Sequence, residues 1–165
     1  VNPDGAHPAR PRPGSQEEPQ LATELGLLRV GAELFDAGEF HAAHEQFETG
    51  WRAARARGAQ AEAHVWRALV LVAGALHHHR RGRQRGRDAL LERARREFAS
   101  ATSRHADDEA RVAAASDASP TANPAPWWSR MALVWARAVA TGDLDVDAPP
   151  QARRLLADAL GPQGS

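Results

Sequence analysis

Three residues have the types and the spacing to do chemistry together: His44, Glu48 and Trp51, arranged as His-x-x-x-Glu-x-x-Trp. On a helix, residues four apart sit one turn apart on the same face. An imidazole nitrogen and a carboxylate oxygen are then presented side by side, a donor pair that divalent metals take. The next helical stretch ends in His77-His78-His79, and His77 or His78 would supply a further ligand. Water would complete the shell of a zinc, manganese or iron ion. Hydrolysis assisted by that metal is the chemistry such a site would run. Trp51, Arg67, Phe40, His41 and Glu45 would line it, with His41 and Glu45 turned further toward solvent.

The same residues support a second expectation. Phe40, Phe47, Trp51 and Ala54 cluster on one face at 100° per residue, and His44 and Glu48 flank that stripe. A partly buried carboxylate is costly unless it is paired. Arg67 could pair with it, or protonated His44 could. His44 and Glu48 would then be a structural buried polar pair in a non-catalytic helical interaction module.

These residues need helices to position them, and the apolar spacing provides them. Residues 1–20 carry five prolines and read as a disordered tail. A first helix runs from Leu21 to about Phe35, a second from about Glu39 to Arg57, and a third from about Gln60 to Arg81. A fourth covers about Arg87 to Ser103, and residues 106–126 read as a flexible linker whose stretch from Glu109 to Ala115 could extend a helix. Two further helices follow over 127–160, with Trp127, Trp128 and Trp135 anchoring the first of them. No strand pattern competes. The expected fold is all-α: a compact antiparallel bundle of four core helices (21–105) carrying one or two C-terminal helices.

Composition narrows the functions further. The chain has 165 residues, 42% of them apolar, enough for one domain with a core. Its 21 basic and 21 acidic residues cancel, and every basic residue is Arg. With no cysteine, thiol chemistry and thiolate metal sites are excluded, which suits a reducing cytoplasm. No apolar run is long enough to span a membrane, and Val1-Asn2-Pro3-Asp4-Gly5 does not resemble a secretory signal. Five arginines fall between Arg80 and Arg87, yet no aromatics interleave them, so nucleic acid is not the expected partner. A protein partner or a second copy of the chain remains open. Asp143-x-Asp145-x-Asp147 fails as a calcium loop, with Ala148 where Gly is needed and Arg154 where Glu is needed. No nucleophile motif or phosphate-cradling glycine loop stands out.

Over roughly residues 29–98 the chain resembles the bacterial and archaeal family DUF309. The resemblance is carried by Glu33-Leu34-Phe35-Asp36-Ala37-Gly38-Glu39-Phe40, by Ala43-His44-Glu45 leading to Glu48 and Trp51, and by Ala75-Leu76-His77-His78 with Arg80-Arg81-Gly82. It implies a compact helical bundle with a suspected metal site. The family typically has Gln where this chain has Arg67 and Leu71, and Asn in place of Arg83. The departure at 67 implies a guanidinium placed to neutralise Glu48.

Overall fold

A computed structural model describes residues 17–115, 126–142 and 151–161. These residues form six helices and no strand: α1 (Glu17–Asp36), α2 (Phe40–Ala56), α3 (Gln60–Arg80), α4 (Gln84–Ala115), α5 (Trp127–Thr141) and α6 (Ala152–Leu160). No described helix is long and apolar enough to cross a membrane. Most of the expected Pro-rich tail, the later part of the expected linker and the Asp143-x-Asp145-x-Asp147 stretch lie outside the described residues.

The first three links are three residues each, so consecutive helices fold back on one another. α1 packs on α2, α2 on α3 and α3 on α4, while α5 covers α3 and α4. α3 is central, and its sequence explains why. Val65, Trp66, Leu69, Val72, Ala73 and Leu76 are buried on more than one side, the pattern of a helix with neighbours around it. α2 has one buried stripe instead, Phe40, Ala43, Phe47, Gly50 and Ala54. That leaves its other face for polar residues. The tryptophans anchor α5 as expected. Trp135 meets Phe35 edge-on at 5.7 Å and Trp127 meets Trp66 at 5.7 Å, while Trp128 lies 4.9 Å from His105.

Two boundaries differ from expectation. α1 begins at Glu17, inside the expected tail. α4 runs on to Ala115 through the start of the expected linker, making a helix about 48 Å long at 1.5 Å per residue. Its polar last turns are alanine-rich and joined by same-helix pairs. His105 meets Glu109 at 3.3 Å and Arg111 meets Asp108 at 2.9 Å, spacings that support helix without a buried stripe.

The turn after α1 also holds the C-terminal helix. Asp36 is almost fully buried and accepts the Ala152 N–H at 2.7 Å and the Arg153 N–H at 3.1 Å. The Arg153 guanidinium adds a contact at 3.0 Å. One carboxylate thus caps the positive end of α6 from 116 residues away in sequence. Asp36→Ala should lower stability by about 1–2 kcal/mol. Amide exchange checks this: protection should fall across residues 152–160 and be kept in α2 and α3.

Candidate functional site

The last turn of α3 and the start of α2 gather five of the eight histidines at one end of the bundle. The His41 and His44 rings stack with centroids 6.3 Å apart. The His41 and His77 rings lie 5.6 Å apart, and His77 and His78 lie 6.5 Å apart, edge-on. His44 also faces Gly74, where an added Cβ would sit 3.7 Å from its ring. The imidazole therefore lies against α3 at ordinary contact distance.

The surroundings of His77 disfavour its protonated form. Burial lowers the pKa of His77, and the charges of Arg81, His41, His78 and His44 lower it further. A neutral imidazole keeps a lone pair available to a ligand. The Nδ1 atoms of His44 and His78 are buried and have no hydrogen-bond partner among the described residues.

The carboxylates predicted beside these rings are engaged elsewhere. Glu48 is paired along its own helix with Arg52 at 3.0 Å. Glu45 is paired with His41 at 3.7 Å, both well exposed. No hydrogen bond joins Glu48 to His44, so the polar lock anticipated between them is not formed. Among the described residues, no three His, Asp or Glu side chains are already placed to hold a metal ion. Imidazole nitrogens are donors that zinc and other divalent transition ions take.

Arg67 corrects the sequence expectation. Its guanidinium does not reach Glu48; it pairs with Glu97 of α4 at 3.0 Å and lies over the Trp51 ring at 5.2 Å. Arg55 lies over Trp51 as well, at 5.4 Å. The reason is geometric. α3 lies between α2 and α4, and Glu97 offers Arg67 and His64 one carboxylate oxygen each, His64 at 2.6 Å. Trp51 is thus a half-buried platform for two guanidinium groups. Phe40 is buried beneath Arg80, whose guanidinium lies 5.1 Å from the ring centre. Arg80 also donates to the Gly38 carbonyl at 2.7 Å. Gly38 has φ 76°, and an added Cβ would collide with that guanidinium, so only glycine suits this turn.

A second polar centre escaped the sequence reading. Glu24 of α1 and Glu62 of α3 are both buried and share one cation, Arg57, which follows α2. Arg57 lies 2.5 Å from Glu24 and 2.9 Å from Glu62. The Trp66 indole N–H donates to Glu62 at 2.9 Å, and the Gln20 amide donates to Glu24 at 3.1 Å. Burial raises the pKa of Glu24 and the charge of Glu62 raises it further, against the lowering effects of Gln20, Arg57 and Trp127. Glu62 also lines a cavity of about 450 Å³ with Arg104, Asp107, Asp108, Arg111 and Trp128. The one sequence signal was a carboxylate in the first turn of α3, four residues before a tryptophan. That spacing suits helix capping equally well.

Residues 28–90 match the family model DUF309, described as a domain of unknown function. No curated protein and no solved structure gives a match to the chain. The segment that carries the whole imidazole cluster, residues 28–90, is the part of the chain that is similar to the DUF309 family.

Proposed function

We propose that the protein is a divalent-metal-binding helical domain whose ion is held by the imidazoles of His41, His44 and His77, with His78 adjacent. The observation that carries this reading is ring spacing, 6.3 Å between His41 and His44 and 5.6 Å between His41 and His77. Two imidazoles bound to one tetrahedral ion through nitrogens about 2.1 Å away have ring centres roughly 5.3 Å apart, close to the His41–His77 spacing, while the His41–His44 pair must close by about 1 Å to reach it. The buried Nδ1 of His44, which has no partner among the described residues, and the lowered pKa of His77 add support, because metal and proton compete for the same lone pair. The His41–Glu45 contact is exposed, so it gives way at little cost. A divalent ion held there would supply the Lewis acidity for hydrolysis. The cysteine-free composition and the family resemblance support a cytoplasmic bacterial protein.

Zinc should raise the Tm of tag-free protein and remain after dialysis at one equivalent. His77→Ala should lose both effects. Glu48→Gln, which removes only the partner of Arg52, should keep them. No shift with zinc, manganese or iron in the unaltered protein would sink the proposal.

A non-catalytic helical interaction module is the second reading. It is favoured by Glu48 being satisfied by Arg52 and by no three donors being already in place among the described residues. On that reading His44→Ala lowers stability and there is no bound metal to lose.

A further inference from the structure

We infer that the α3–α4 turn binds a phosphate-bearing small molecule, with Arg81, Arg83 and Arg85 as its anion site beside the imidazole cluster. The chain as a whole carries no net charge, yet five of its 21 basic residues fall within positions 80–87. Two of the five have structural work. Arg80 is bound to the Gly38 carbonyl and covers Phe40. Arg87 is paired with Asp88 at 2.7 Å and also meets His79 at 3.0 Å. The side chains of Arg81, Arg83 and Arg85 are exposed and have no hydrogen bond or ion pair among the described residues. The first turn of α4 holds no acid to offset them, and Asp88 is already taken by Arg87.

Three exposed guanidinium groups within five positions, unpaired among the described residues, concentrate positive charge at this turn. An anion bound among them would offset that charge. A phosphate ester fits the chemistry, because its charge and tetrahedral oxygens accept several forked guanidinium donors at once. The turn offers no open aromatic face, since Phe40 beneath it is buried and already covered by Arg80. Recognition is therefore of the phosphate and not of a stacked base. The site adjoins the imidazoles through Gly86, where an added Cβ would lie 3.0 Å from His78 Nδ1. The arginines need no metal to act, so the inference stands apart from the metal reading.

The test is calorimetric titration of the full chain with phenyl phosphate at constant ionic strength, in EDTA and again with zinc. A 16-base-pair duplex serves as a comparison ligand. Saturable binding of phenyl phosphate is expected in both buffers. The double variant Arg83→Gln/Arg85→Gln should weaken it by about tenfold, the scale of one lost hydrogen bond to a charged group. Arg93→Gln/Arg96→Gln, an equal charge change further along α4, should leave it within twofold (roughly the scatter for a surface change). No binding in either buffer overturns the inference. So does equal weakening by the two double variants, which would be a general charge effect, or binding of the duplex alone. Metal content is measured on the same samples. Phosphate binding with no zinc retained in the zinc buffer overturns only the metal reading, and zinc retained without arginine-dependent phosphate binding overturns only this one.

Discussion

Arg57→Met should lower the unfolding free energy by about 3 kcal/mol near pH 7.5, the scale for removing one partner of a buried ion pair. The methionine keeps much of the stem but leaves Glu24 and Glu62 buried together with no cation between them. The loss should shrink on acidification. Burial and Glu62 already hold the Glu24 pKa above its ordinary value of 4.5, and removing Arg57 raises it further. The folded state then binds more protons than the unfolded chain in the window above 4.5, so its stability rises as pH falls through the raised pKa. Urea unfolding at pH 7.5 and 5.5 measures both the loss and its partial recovery. A loss that grows on acidification would show that the carboxylates are not the source.

The second large effect is expected at Gly50, where alanine should destabilise the protein although alanine is the better helix former. An added Cβ would lie 2.5 Å from the Trp66 ring, and Trp66 is fully buried. The ring is also fixed by its hydrogen bond to Glu62. Overpacking costs about 1–3 kcal/mol and the helix gains back about 1. Displacing the indole from a carboxylate adds roughly 1.5–3 kcal/mol. A net loss of about 3 kcal/mol follows, read by thermal and urea unfolding. A double-mutant cycle with Glu62→Gln should show coupling, because both changes act on one tryptophan. Strict additivity would mean that the helices separate instead of disturbing the Trp66–Glu62 contact.

The six-helix fold was legible because its core-facing positions follow the helical period. Phe40, Phe47 and Ala54 on α2 and Val65, Leu69, Val72 and Leu76 on α3 are all buried. The end of α4 was less legible, because charged same-helix pairs hold its last turns with no apolar stripe. At the site, His44 and His77 were readable from their places beside those stripes. The partners of Glu48 and Arg67 were not. Glu48 bonds within its own helix, to Arg52, and Arg67 reaches Glu97, thirty positions on. Periodicity shows which face a charge occupies, but not which neighbouring helix brings the opposite charge to it. For the same reason Glu24, Arg57 and Glu62 stayed hidden. They come from three elements, and each alone looks like an ordinary helix-end charge.

The central claim is that His41, His44 and His77 act as one ligand set. The most direct measurement is a zinc titration of tag-free protein, following the imidazole 15N resonances. The account predicts that His41, His44 and His77 shift together and saturate at one equivalent. His64, held by Glu97, and His105, against Trp128, should not move. No change at the three clustered rings, or equal unsaturable drift at all five, would contradict it.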